Sequence, residues 1–174
     1  AVHTLTHPNL TRCDDAEVIR QVETDRLNLS ELVGYEVVGM AYPCGGVNND
    51  DRVASVIKNT TGVKYARTIV STHNFDLQDN LFRFNPTVYY CEVDKMFELA
   101  EKFVALKTDT PAVFYVWGHS YELREMNTFE LMEEFVKKVG ARDDIWYATN
   151  GQIYDYVQAY RNLRFSAEGN FVYN

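Results

Sequence analysis

Short apolar runs alternating with amphipathic helical stretches constrain this chain more than any other feature. The runs fall at 35–42, 64–69, 86–91, 112–117 and 145–148. The first is largely apolar, as a strand covered on both faces should be, and the run at 112–117 is strongly apolar. Between them the spacing predicts helices over 14–33, 50–58, 93–107, 127–139 and 149–162. Acidic residues open the first, Ile19, Val22, Leu29, Leu32 and Val33 recur on one face, and Gly34 stops it. Val93, Met96, Phe97, Ala100, Phe103 and Val104 form the stripe of the third. Asn127 is read as the cap of the fourth, with Phe129, Met132, Phe135, Val136 and Val139 facing inward. Thr149 and Gln152 have capping-box spacing, and 164–166 with 171–173 read as a closing hairpin. The alternation predicts an α/β protein with a parallel sheet or barrel, and no internal repeat or linker divides residues 1–174. A single domain is expected.

A chain of 174 residues can bury a sizeable core. Its formal net charge of −8 argues against nucleic acid or an anionic membrane surface as partner. No apolar run approaches the roughly 20 residues of a membrane span. Cys13, Cys44 and Cys91 are an odd, unclustered set, which gives no disulfide framework and no metal knuckle. Unpaired thiols tilt slightly toward the cytoplasm, and the compartment is otherwise open.

The chemistry-bearing stretch is His3-Thr4-Leu5-Thr6-His7-Pro8. Pro8 disfavours helix at His7, so the two imidazoles are expected on a turn that follows a short strand and swings His7 back beside His3. Neutral imidazoles suit zinc and other late divalent metals, and a stable site needs a third ligand. Hydrogen-bonded loop histidines are the plainer alternative.

His-Thr-x-x-His-Pro resembles the metal-binding motif of the polysaccharide deacetylases, the NodB-like carbohydrate esterases. Tyr42-Pro43-Cys44-Gly45 is similar to that family's substrate-bordering loop, and Trp117-Gly118-His119 to its late histidine motif. The order and spacing agree along the chain. The family's Asp-Asp-Gly motif, which supplies the base and a metal-binding carboxylate, does not precede His3. Asp14-Asp15 and Asp50-Asp51 lack the glycine. The resemblance therefore implies a distorted (β/α) barrel of the NodB type, incomplete at its N-terminus, with the chain as the C-terminal two-thirds. A missing strand would expose a sheet edge and favour homo-oligomers.

The resemblance also implies roles. His3 and His7 would hold a divalent metal, zinc first and nickel or cobalt as alternatives. The Cys44 N–H would steady an oxyanion and His119 would act as general acid. Tyr42, Pro43 and Trp117 would border the sugar, with buried packing an equal alternative for the two aromatics. The family often carries an arginine two residues before the loop proline, paired with the base aspartate. Ala41 stands there in this chain, and Arg67 is the candidate to take its place beside the substrate, with a surface or structural ion pair as the plainer alternative. His73, Asp76 and Asp79 read as a solvated loop, with a second metal or substrate loop as the sharper alternative. The expected function is metal-dependent removal of acetyl groups from N- or O-acetylated carbohydrate, with little activity in this chain because the base is missing. A non-catalytic carbohydrate-binding or structural remnant of the same fold is the rival, and a hydrolase of non-sugar amides is allowed by the same residues.

Overall fold

A computed structural model describes residues 1–173. The chain is a mixed α/β protein that divides into two compact units. One comprises Ala1–Ala66, Asn80–Arg83 and Tyr147–Asn174; the other comprises Arg67–Asp79 and Phe84–Trp146.

In the first unit, helix α1 spans Asp15–Val33. The Asp14 carboxylate accepts the Glu17 N–H at 2.8 Å, and Gly34, at φ 76°, closes the other end on the Ser30 carbonyl. Val18 and Val22 pack into a cluster with Val2, Met40, Tyr42, Val53, Ile57, Val63 and Ala66. The buried face of α1 is Val18, Gln21, Val22 and Arg26, whereas Leu32 and Val33 are exposed. This corrects the expected stripe. Two polar residues occupy inward positions because each finds partners there. Gln21 bonds the Thr6 backbone and hydroxyl, and Arg26 meets Glu23 at 2.6 Å against Gly62, where a Cβ would strike its guanidinium.

Strand β1 (Gly39–Ala41) pairs with β2 (Tyr65–Arg67), whose last residue belongs to the second unit. Val2 adds a parallel bridge to Met40, donating to the Gly39 carbonyl at 2.8 Å and accepting from the Ala41 N–H at 2.9 Å. Helix α2 (Asp51–Thr60) is capped by Asp50, and buries Val53, Ala54 and Ile57.

In the second unit, Arg67 bridges Phe84 in parallel. Strand β3 (Val88–Tyr89) pairs in parallel with β4 (Val116–Trp117), Tyr89 standing opposite Trp117. Helix α3 (Val93–Val104) buries Met96, Leu99 and Ala100. Helix α4 (Ser120–Glu125), absent from the sequence expectation, follows His119 directly. Helix α5 (Phe129–Val139) contributes Phe135, with Leu131, Met132 and Val139 half-buried against the same cluster. Phe129 and Val136 of the expected stripe are exposed. Asn127 does not cap α5: its φ of 52° turns the chain after α4, and Thr128 takes the cap position.

Helix α6 (Asn150–Asn162) starts at the expected Thr149–Gln152 capping box, and β5 (Arg164–Phe165) pairs antiparallel with β6 (Val172–Tyr173) in the first unit. The strands are shorter than the apolar runs. Residues 145–148 form none, and the run at 112–117 enters a ladder only at its end. Before that point, the Tyr115 N–H is taken at 3.0 Å by the Thr87 hydroxyl, a side chain standing where a ladder carbonyl would be. The described residues form three two-stranded pairings and no closed sheet, so the expected barrel is not seen. No described helix is long and apolar enough to cross a membrane.

Candidate functional site

The sequence-predicted site residues fall in both units. His3, His7, Tyr42, Pro43 and Cys44 belong to the first, and Arg67, Trp117 and His119 to the second.

The turn after Val2 brings the His3 and His7 rings to a centroid separation of 4.9 Å, edge to face. The ring nitrogen Nδ1 of His3 lies 2.8 Å from the Ala41 carbonyl. A carbonyl only accepts, so Nδ1 carries the proton and the lone pair is on Nε2. Asp25 accepts the His3 N–H at 2.8 Å. Gln21, buried on α1, accepts the Thr6 N–H at 2.9 Å and donates to the Thr6 hydroxyl at 2.8 Å, while its own carbonyl takes the Leu5 N–H. These are the residues that sequence reasoning missed. Their signal is a polar residue on an otherwise apolar helix face, which becomes interpretable once the loop is seen to lie across it.

Thr4, His7 and Cys44 have φ values of 70°, 59° and 68°. The left-handed region costs an ordinary residue about 1–2 kcal/mol, and none of the three is a glycine. Strain of this kind clusters at functional loops. The Cys44 loop is fastened from below: Asn48 donates to the Cys44 carbonyl at 2.7 Å, Asn49 bonds Asn48, and Arg83 bonds Asn49 at 2.8 Å. The Cys44 thiol points at the His7 carbonyl, with its sulfur 3.8 Å from the His7 ring nitrogen. The Cys44 N–H has no acceptor among the described residues. Pro43 is buried, and Tyr42 is 1% exposed with its hydroxyl donating to the Phe82 carbonyl at 2.7 Å. Burial pushes the Tyr42 phenol well above its ordinary pKa, so it stays protonated.

As a metal centre the first unit supplies two imidazoles of suitable chemistry. No group of three His, Cys, Asp or Glu side chains is gathered for an ion among the described residues. The Thr4 hydroxyl, within the same loop, is buried and has no partner there.

In the second unit His119 follows β4 and precedes α4. Its ring lies 5.5 Å from that of Trp117 and 5.1 Å from that of Tyr121. Gly118 is required, since a Cβ there would run into the Tyr90 ring. Glu122, one turn into α4, accepts the His119 N–H at 2.9 Å and lies 3.1 Å from its Nδ1. The Tyr89 hydroxyl donates to the same carboxylate. Burial opposes ionisation of Glu122, but the bonds from Tyr89 and from the His119 backbone and ring outweigh it, and its pKa is lowered. With a carboxylate at Nδ1, the Nε2 of His119 has no partner among the described residues.

Trp117 stacks on Tyr89 at 4.7 Å, and the Arg67 guanidinium carbon sits 4.6 Å from the Trp117 ring centroid. His73 does not join Asp76 and Asp79 in a cluster of ligands. It faces Glu92 at 2.8 Å, and Ser71 donates to the other oxygen of that carboxylate at 2.6 Å.

Residues 1–65 match the family model described as polysaccharide deacetylase. The match covers the histidine loop and the Tyr42–Gly45 turn, and ends before Arg67, Trp117 and His119. No curated protein and no solved structure matches the chain.

Proposed function

From the polysaccharide deacetylase match over residues 1–65, we infer that this chain is a carbohydrate deacetylase-type hydrolase. One observation carries the reading: the matched segment brings His3 and His7 together at 4.9 Å beside the strained Cys44 turn.

The fold that goes with this reading is a NodB-type barrel, and the substrate is an N- or O-acetylated carbohydrate. His3 and His7 are the residues that would hold a divalent ion, zinc before nickel or cobalt. When bound, such an ion polarises the acetyl carbonyl and its attacking water. The His3 ring is held for ligation by Ala41, because Nδ1 donating to that carbonyl leaves Nε2 as the ligating atom. Oxyanion stabilisation falls to the Cys44 N–H, which is unpaired in the described chain. His119 acts as general acid. Glu122 holds its Nδ1–H, so that in the imidazolium form the Nε2–H would point outward and pass its proton to the leaving amine or alcohol, leaving the neutral Nδ1–H tautomer. Pro43 shapes the loop and Tyr42 braces it from inside, and in the second unit Trp117 and Arg67 are the residues that would contact the sugar. Hydrolysis by this chain alone is weak, because two imidazoles without a carboxylate hold metal poorly and no base aspartate stands in the Asp-Asp-Gly pattern.

The two-donor site also favours a second reading, a non-catalytic carbohydrate-binding protein of the same fold. Zinc titration by calorimetry separates the two. Binding that disappears in His3→Ala and His7→Ala, together with acetate release from acetylated oligosaccharides on metal addition, supports the hydrolase. Glycan binding unaffected by metal and by both substitutions would overturn it.

A further inference from the structure

We propose that Arg67 reads a carboxylate of the ligand, so that the glycan taken by this chain carries uronate groups beside its acetyl groups. The acetyl part rests on the deacetylase reading; the carboxylate part rests on the second unit alone.

Arg67 combines burial with the lack of a carboxylate partner; Arg12, Arg124 and Arg164 also show no ion pair among the described residues, but they are exposed. Arg20, Arg26, Arg52, Arg83 and Arg142 each form an ion pair with a carboxylate of the chain. Arg67 is half-buried and forms none among the described residues. Its Nη1 donates to the Thr68 carbonyl at 2.9 Å, its face lies on Trp117, and Tyr115 is the remaining group that influences its charge. Scarcity of acids does not explain this, because the chain has 25 Asp and Glu against 17 Lys and Arg.

Removing a cation from water without a counter-ion is costly, and here burial pulls the guanidinium pKa below its ordinary value. It nevertheless stays charged, as guanidinium does in proteins. Stacking on the indole orients the planar group, and the donors not used by Thr68 form the fork that matches a carboxylate. The same indole contacts the His119 ring. A carboxylate on Arg67 would therefore lie one aromatic side chain from the proposed general acid, a spacing suited to neighbouring positions on a sugar chain. With a net charge of −8, the protein as a whole repels anions, so any preference for an acidic glycan has to arise from a local cation.

The test is calorimetric titration of the chain with three probes: a hyaluronan hexasaccharide, its fully methyl-esterified form, and chitohexaose. The second differs from the first in having each uronate charge replaced by a methyl ester, and the third is neutral and N-acetylated. The acid form is expected to bind at least tenfold more tightly than the ester, and Arg67→Gln to abolish that ratio whatever it does to the affinity for chitohexaose. Should circular dichroism show Arg67→Gln to be unfolded, Arg67→Lys serves instead. It keeps a point charge without the planar fork, and is expected to reduce the ratio severalfold. Equal binding of acid and ester by the unmodified chain, or a ratio that survives the substitution, would overturn the proposal and leave the deacetylase reading standing. Failure to bind any of the three probes would overturn both.

Discussion

Glu122 holds His119 at two points, accepting its backbone N–H at 2.9 Å and facing its ring Nδ1 at 3.1 Å. One carboxylate thus caps a helix and fixes a tautomer. Glu122→Ala is expected to release both functions. Long-range nitrogen–proton spectra should show the His119 ring moving from a single tautomer to a mixture, and urea unfolding should show a loss of about 1 kcal/mol, the usual worth of a helix cap. A ring that stays in one tautomer would place the control of His119 elsewhere.

Gln21 positions the histidine loop without being a candidate ligand. Gln21→Leu retains its bulk but strands the Thr6 N–H. Second-layer partners of metal-binding histidines typically contribute 10–100-fold in affinity. Zinc affinity by calorimetry is therefore expected to fall about tenfold with both histidines intact, and an unchanged value would detach the loop from metal binding.

The Glu23–Arg26 pair predicts an acid limb in stability. Hydrogen bonding from Arg26 holds the Glu23 carboxyl below its ordinary pKa, with help from the Gly62 N–H and against burial. A lowered folded-state pKa gives stability that is present above the unfolded value of about 4.3 and is lost as pH falls through the folded value. Glu23→Gln should flatten that part of the profile between about pH 5 and pH 3. It should also cost about 2–3 kcal/mol at neutral pH, because Arg26 is 8% exposed and would lose its counter-ion. Urea midpoints at several pH values provide the check.

Gly118 tolerates nothing larger. In Gly118→Ala the new methyl meets the ring of Tyr90, which is 3% exposed. Overpacking of this kind costs about 1–3 kcal/mol. Thermal unfolding should shift down accordingly, and the near-ultraviolet circular dichroism of the Tyr89–Trp117 stack should change with it.

Much of this was legible beforehand, and the exceptions have physical causes. Periodicity found α3, which buries Met96 with Leu99 and Ala100 three and four residues on, along one face. Helix α6, which buries Val157, was marked by its capping box, and α1 by its acidic start and its Gly34 stop. Pro8 told that the histidines sit on a turn, since its ring forbids the helical alternative. Strand lengths were overestimated because an apolar run reports burial, whereas a ladder needs backbone partners on both sides of each peptide; at Tyr115 the carbonyl accepts from the Thr87 N–H, but the N–H goes to a threonine hydroxyl. Gln21, Asn48 and Glu122 were invisible because a polar residue's role depends on what it bonds across 15 residues to Thr6, four to Cys44 or three to His119. Helix α4 is only six residues long and has no buried side chain to leave a pattern. Asn127 has the composition of a cap, but its left-handed backbone makes it a turn residue.

The first unit is assembled from three separated stretches of chain, the last beginning at Tyr147, and the second is finished at Trp146. During synthesis from the N-terminus, every residue of the second unit leaves the ribosome before the closing stretch of the first. The matched segment at residues 1–65 must therefore wait for the remaining two stretches of its own unit while the other is being completed.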